Sequence, residues 1–396
     1  MLEALAVLIL LFWITRIPHF RKSVLRELPA DYQLNSSPNV SLIVAARDEA
    51  SRIEGSVRSL LRQDWPGKEL IVVDDRSVDG TSEILDGLAL EYPELKVIHN
   101  QELPSGWIGK CWALHRGASV ASGEWLIFCD GDVMMEAHCV RSAVTVAETE
   151  RLDHLCLAPQ MISKHFLQDA VVFSLTFLFY IFQNPKHVFD SRRLENYIGI
   201  GAFNMIRREL YERCGGHKAL RLEIVDDVFL GMLAKRHGGK SGFFLGHKLA
   251  HIHWYEGLGA YIRGLEKNAF AGLRFSWGLL AAAVLFQSLI FLVPPLGSFL
   301  LWQSSGMLFL ASCVLSHALF MLNCHRQGGP WTRGFLLVPA ILIQFVTFIR
   351  SAWVMTQQQG VIWRGTFYPL GELKAAQKIL RGPLLPFRVR SKSTRL

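Results

Sequence analysis

The sequence predicts an α/β protein built on a mostly parallel, doubly wound sheet, with membrane-crossing helices at its N-terminal and C-terminal ends. Three observations carry this. Short apolar runs ending in polar or acidic residues alternate with helical stretches from Val40 to His99; that order lays strands parallel and puts a ligand at their carboxyl edge. Trp125-Leu-Ile-Phe-Cys-Asp-Gly-Asp-Val133 adds an unbroken run of bulky β-formers, as a strand covered on both faces requires, and breaks off at Asp130 and Asp132. No Asp, Glu, Lys or Arg occurs from Phe275 to His325, which leaves room for two crossings of about 20 residues each.

Bulk properties agree. An apolar content of 51% with a mean hydropathy of +0.24 is high for a soluble domain. The net charge of +8 comes from basic residues beside the greasy segments. Arg16, Arg21, Lys22 and Arg26 follow the first, and Lys374, Lys378, Arg381, Arg388, Arg390, Lys392 and Arg395 crowd the tail. With no basic helix or nucleic-acid motif, no nucleic-acid partner is expected; basic flanks suit an anionic leaflet of a bilayer. Cys111, Cys129, Cys139, Cys156, Cys214, Cys313 and Cys324 form no CxxC pair, which reads as reduced thiols in a reducing compartment.

Taken in order, residues 1–20 form an N-terminal anchor. Ala4 to Thr15 is apolar and uncharged, and Arg16 follows directly. A signal-peptide core has its charges before the run and a small-residue cleavage site after it; here neither holds, so an uncleaved anchor with its basic end in the cytosol is expected. Residues 21–38 read as a polar linker. A domain over residues 39–255 then opens with the strand Val40–Ala46, followed by a helix over Glu54–Gln63. Next come a strand over Leu70–Val73 ending at Asp74 and Asp75, a helix over Ser82–Leu90 and a strand over Lys96–His99. No GxGxxG and no GxxxxGK[ST] occurs, so neither a dinucleotide fold nor a P-loop is supported.

Gly106-Trp-Ile-Gly109-Lys110-Cys-Trp112 precedes the central strand. It reads equally as an ordinary loop into a helix at Trp112 or as a glycine-lined approach of Lys110 to phosphate. Asp130 and Asp132 suit a hard divalent cation that keeps its other positions for water and phosphates; the plain alternative is an Asp-Gly turn. Phe166 to Phe182 is a core or an interfacial helix. Asp226 and Asp227 open a helical stretch. The helix dipole alone explains acids there, and the functional alternative is a general base at the sheet edge. His251 and His253 share one face of a strand; His253 is a candidate third metal ligand, against the commoner case of a solvated histidine. Residues 256–275 form an interfacial connector. Residues 276–358 hold about three crossings, near Trp277–Leu301 (bent at Pro294-Pro295), Met307–Asn323 and Gly334–Thr356. A third crossing would put the basic tail, residues 359–396, outside, against the positive-inside tendency. The last segment, which contains Arg350, is therefore either re-entrant or miscounted.

The spacing of these motifs resembles the membrane-bound family-2 glycosyltransferases of the GT-A fold. The resemblance rests on Val40-Ser-Leu-Ile-Val-Ala-Ala-Arg-Asp-Glu49, Val72-Val-Asp-Asp-Arg-Ser-Val-Asp-Gly-Thr81, Asp130-Gly-Asp132 and Asp226-Asp227, in order over roughly residues 38 to 255. Gly106–Leu114 and Gly360-Val-Ile-Trp-Arg-Gly-Thr-Phe-Tyr368 look like the branch that glycosylates lipids, with hopanoid- or carotenoid-associated enzymes closest and ceramide glucosyltransferases alongside. The resemblance implies a nucleotide-sugar site at Ala45, Ala46, Arg47, Glu49, Asp75, Lys110 and Asp130. It implies a divalent cation, Mn2+ or Mg2+, on Asp132 and Asp130, and Asp227, with Asp226 beside it, as the catalytic acids. Asp226 stands where the family has Glu, and the QxxRW motif of processive synthases is not found. The implied activity is inverting transfer from a UDP-sugar to a lipid hydroxyl, on the cytoplasmic face of the cell inner or plasma membrane. Two alternatives remain: a polyprenyl-phosphate acceptor, and a non-catalytic membrane subunit.

Overall fold

Eight strands form one sheet in the computed structural model, which describes residues 2–22, 25–28, 37–163, 165–301 and 304–381. They are β1 (Val40–Ala46), β2 (Lys68–Asp75), β3 (Leu95–Asn100), β4 (Trp125–Asp130), β5 (Val133–Met135), β6 (His154–Ile162), β7 (Asn204–Arg207) and β8 (Ser241–His253). Their order is β3-β2-β1-β4-β7-β6-β8-β5. The first four are parallel, as the alternation predicts, while β7 is antiparallel to both β4 and β6. The chain leaves β1 in one direction for β2 and β3, and returns to its other side at β4. That reversal makes a crevice at the strands' carboxyl ends. Ala45 pairs there with Asp130. β1 and β4 are apolar because both faces are covered: Val40, Leu42, Ile43, Val44, Trp125, Leu126 and Ile127 are all fully buried. Each such side chain contributes about 1.5–3 kcal/mol of burial.

The covering helices are α2 (Ile53–Leu61), α3 (Thr81–Glu91), α4 (Gly109–Val120), α5 (Cys139–Thr149), α7 (Arg208–Arg213), α8 (Gly216–Ala219) and α9 (Asp226–Arg236). α4 starts three residues before the Trp112 expected from sequence, so Lys110 lies in its first turn. Glycine at 109 permits this, since a Cβ there would lie 2.3 Å from Asp75 Oδ2.

The apolar part consists of α1 (Leu2–Lys22), α6 (Phe166–Phe182), α10 (Leu258–Gly272), α11 (Trp277–Phe291), α12 (Val293–Leu300), α13 (Ser304–Arg326) and α14 (Leu337–Gln357). Four stretches are long and apolar enough to cross a membrane: Leu2–Arg21, Trp277–Leu300, Ser304–Arg326 and Trp331–Gln357. The second breaks at Leu292 between α11 and α12, where Pro294 enters the first turn of α12, a position proline tolerates. α6 is the seam between the two parts: its Phe177 packs with Trp13, Phe291 and Phe320.

Two expected boundaries move. The described piece of the linker, residues 25–28, is tied to the domain: Leu25 and Leu28 are buried, Arg26 pairs with Glu150, and Glu27 bridges to β8. The part of the expected basic interfacial tail up to Arg381 is folded. It forms the hairpin β9 (Gly360–Trp363) and β10 (Thr366–Pro369) and then α15 (Leu370–Arg381). Tyr368, Leu370 and Leu373 pack in one apolar cluster with Ile108, Cys111 and Ile224. The sequence signal was misread because α15 carries its lysines on one side and an apolar stripe on the other. The remaining basic residues from Arg388 onward lie outside the described residues.

Candidate active site

One cavity of about 1290 Å³ lies against the carboxyl edge of the sheet. Ala45, Ala46, Arg47, Glu49, Asp75, Lys110, Asp130, Asp132, Asp226 and Asp227 all line it. His253 does not. It ends β8 exposed, and contributes only its carbonyl, which accepts from Arg52 at 2.7 Å. His253 still pairs with Ile162 of β6; its neighbour Ile252 lines the cavity, so strand alternation turns His253 to the other face before the wall resumes at Trp254 and Tyr255.

At one end, Asp75 closes β2. Its carboxylate accepts from Arg76 Nη2 at 2.9 Å and from Asn100 Nδ2 at 3.3 Å, with Arg47 Nη1 at 3.6 Å. A buried carboxylate in that crevice, ringed by donors, can offer an oxygen to the hydroxyls of a ribose. Glu49 lies nearby and accepts from Arg364 at 2.5 Å; burial raises its pKa, against the opposing charge of Arg364.

In the middle, Asp130 Oδ1 is 2.7 Å from Lys110 Nζ, and Asp132 Oδ2 is 3.4 Å from Arg52 Nη1. Burial and the like charge of Asp130 raise the pKa of Asp132. Among the described residues no group of three or more His, Cys, Asp or Glu is placed to hold a metal. A site of two carboxylates fits a cation that takes its other oxygens from phosphates and water, and it relieves the repulsion between the two acids.

Deeper, Asp226 and Asp227 open α9. Consecutive residues on a helix point about 100° apart, so the two carboxylates part company. Asp226 is buried, 3.5 Å from Lys110 Nζ and 3.7 Å from His217 Nε2. Burial alone would raise its pKa, but the charge of Lys110 and the hydrogen bond to His217 outweigh it and hold Asp226 low. Asp227 faces the cavity. Its Oδ2 accepts from Gly201 N–H at 2.8 Å and its Oδ1 from Val228 N–H at 2.8 Å. Burial and the neighbouring Asp226 push it up to about 6. Two adjacent carboxyls with pKa values driven apart are the arrangement that separates a permanent anion from a group able to take a proton. Gly201 ties the two acidic sites together, since its carbonyl also accepts from Asp130 N–H at 2.9 Å. A Cβ at Gly201 would sit 2.4 Å from Asp130 Oδ2.

From Asp227 the cavity continues into an apolar arm lined by Phe173, Phe179, Tyr180, Ile198, Phe243 and Leu245. These come from α6, the loop after it, and β8, so the arm opens toward the membrane helices. A further wall is made by α10 and the β9–β10 hairpin, including Lys267, Trp363 and Arg364.

Sequence reasoning missed Arg52, His217 and Lys267 as site residues. Each is a single ionisable residue with no motif spacing around it. The one available signal was the Trp363-Arg364-Gly365 turn, read there only as a family mark.

Comparison with known proteins agrees with this geometry. Residues 41–215 match the family described as Glycosyl transferase family 2. The 4,4'-diaponeurosporenoate glycosyltransferase of Staphylococcus aureus is 23% identical over 343 residues, covering 84% of this chain and 89% of that protein. Among solved structures, a mannosyltransferase from Pyrobaculum calidifontis in complex with GDP-Man and Mn2+ superposes with a TM-score of 0.50 at 17% identity. That match covers 90% of this chain and 99% of the other. It bears on the fold, which is of the GT-A type.

Proposed function

We propose that the chain, whose residues 41–215 match the family described as Glycosyl transferase family 2, is a glycosyltransferase that transfers a sugar from a UDP-sugar to a membrane lipid, with inversion. One observation carries this reading. A single cavity runs from the Asp75 and Asp130 end, past Asp227, into an apolar arm beside the membrane helices. A water-soluble donor and a lipid acceptor would meet in it from opposite sides. The S. aureus relative is named for a carotenoid acceptor, and a carotenoid-like lipid is our choice for the arm.

In the reaction, the acceptor oxygen forms a bond to C1 of the sugar as the bond from C1 to the phosphate oxygen breaks. Asp227 takes the acceptor's hydroxyl proton. Lys110, paired with Asp226 and Asp130, holds the Asp130 carboxylate in place and would meet the donor's diphosphate. Arg47 and Asp75 orient the nucleoside. Asp132 and Asp130, without His253, would hold a divalent cation, Mn2+ or Mg2+, which when bound would supply counter-charge to the leaving diphosphate.

The same reading includes a topology with three crossings. α13 starts beside the N-terminus of α1, where Ser304 meets Glu3, and ends beside its C-terminus, where Arg326 donates to Phe20 O at 3.0 Å. These two helices thus run the same way. α14 starts against the last turns of α13, with Gly334 packed on Met321, and ends at the first turn of α11, where Trp277 meets Thr356 at 3.2 Å. Its middle is fixed to α6 and α10 through Gln344. Both its ends lie on the catalytic side, so α14 runs along the bilayer surface, with α1, α11–α12 and α13 crossing. The basic tail then stays with the catalytic domain in the cytoplasm, which removes the conflict with the positive-inside tendency. Arg350 is accommodated by Glu266 on α10, at 2.5 Å.

The test is transfer of label from UDP-sugars into lipid extracts, with Mn2+, with EDTA, and with Asp132→Ala. Label in the organic phase, lost under EDTA and in the variant, supports the reading. No label from any UDP-sugar sinks the donor assignment.

A second reading follows from the relative's name, which is that of an acid. If the acceptor oxygen is already ionised, as in a carboxylate or a polyprenyl phosphate, no base is required. Substantial activity in Asp227→Asn would then replace the hydroxyl by an ionised oxygen.

A further inference from the structure

Lys267 lies on α10 and lines the cavity. Among the described residues its ammonium makes no ion pair and no hydrogen bond; it rests over the Trp363 ring, 3.5 Å from the centroid. Among the same residues Arg263, which is exposed, is likewise unpaired, whereas four other cations lining the cavity are matched. Lys110 has Asp130 and Asp226, Arg52 has Asp132 and Glu256, Arg47 has Asp48 and Asp75, and Arg364 has Glu49. The charges that act on Lys267 are Lys110, Asp130, Asp226 and Arg364, and burial with the like charge of Lys110 lowers its pKa to about 7. A partly buried ammonium without a carboxylate is costly unless an anion joins it.

Which anion is decided by position. Lys110, Asp130 and Arg364 belong to the donor end of the cavity, between Glu49 and the Asp130–Asp132 pair. Trp363, on which Lys267 rests, is followed directly by Arg364, which pairs with Glu49 at that end. The Trp363 ring face holds the ammonium in place, and an ammonium has donors to spare beyond that contact.

We propose that Lys267 is a binding residue for the diphosphate of the donor, closing with Lys110 and Arg364 a ring of three cations around it. The proposal rests on the nucleotide-sugar reading above. It gives the β9–β10 hairpin a part in substrate binding, because Trp363 and Arg364 both reach the donor from that hairpin.

The experiment is calorimetry on the full chain in detergent with uridine, UMP and UDP, each with Mn2+, for the wild type, Lys267→Met and Lys267→Arg. UDP affinity is expected to fall by about tenfold or more in the Met variant, as for a lost hydrogen bond to a charged group. Uridine affinity and the melting temperature should stay close to wild type, and Lys267→Arg should recover most of the loss. Three results overturn the proposal. UDP affinity unchanged in Lys267→Met means that the lysine serves something else, such as an acceptor anion. Equal losses for uridine and UDP mean a structural role. If the wild type binds none of uridine, UMP and UDP, the uridine-nucleotide donor reading itself fails and this inference goes with it.

Discussion

Asp130 and Asp132 end a strand on either side of a glycine, whereas Asp226 and Asp227 are consecutive and open a helix. The residue types are identical, and the backbone sorts them. The first pair stays in one polar shelf, each oxygen facing a cation of its own, Lys110 or Arg52. Repulsion between them is left for a third positive charge to relieve. The second pair is divided by the turn of the helix. Asp226 is sunk against Lys110 and His217, while Asp227 is turned to the cavity and its proton is held more tightly. Spacing therefore decides whether two carboxylates act jointly on a cation or take separate duties.

That contrast can be broken most directly at Asp227. Asp227→Asn is expected to cut kcat by about 10²–10⁴ while UDP affinity stays within about twofold, because only the second pair serves the proton. Loss of UDP binding in the variant would mean that the pairs are not separate. Next in size, Asp132→Asn should make UDP affinity the same in Mn2+ and in EDTA; a persistent response to Mn2+ would put the cation elsewhere. The smallest effect sharpens the comparison through pH. A base whose pKa is raised loses its active, ionised form as pH falls through that value, so kcat/KM should drop on the acid side with a midpoint near 6. Asp226→Asn removes the like charge that raises it, and should move this limb to lower pH. A limb that stays put would show that burial alone sets the proton affinity of Asp227.

Much of this site was legible before any coordinates. Strands β1 to β4 announce themselves because they are covered on both faces and therefore read as unbroken apolar runs, and their acids mark the carboxyl edge. The cavity gathers every expected residue except His253. The second half of the sheet was less clear: β6 and β8 are long, partly exposed strands whose apolar residues do not run unbroken, and β7 is only four residues long. Lys267 and Arg52 were invisible because a lone cation on a helix is normally solvated, and only the packing of α10 and α2 against the cavity changes that. The tail was misjudged for a related reason. Charge on α15 drew attention to the membrane, while Tyr368 and Leu373 bind it to the catalytic domain.

The Arg364–Glu49 pair joins residues 315 positions apart, and the hairpin bearing Arg364 is made only after the apolar helices. During synthesis, the sheet with its acids can therefore be complete while the donor pocket still lacks a wall. Residues 360–369 can reach Glu49 once α11 to α14 have taken their places and brought the chain back to the domain. Under the proposed function, transfer activity would in this way begin with membrane insertion, and a nascent domain would not consume its donor before reaching the bilayer.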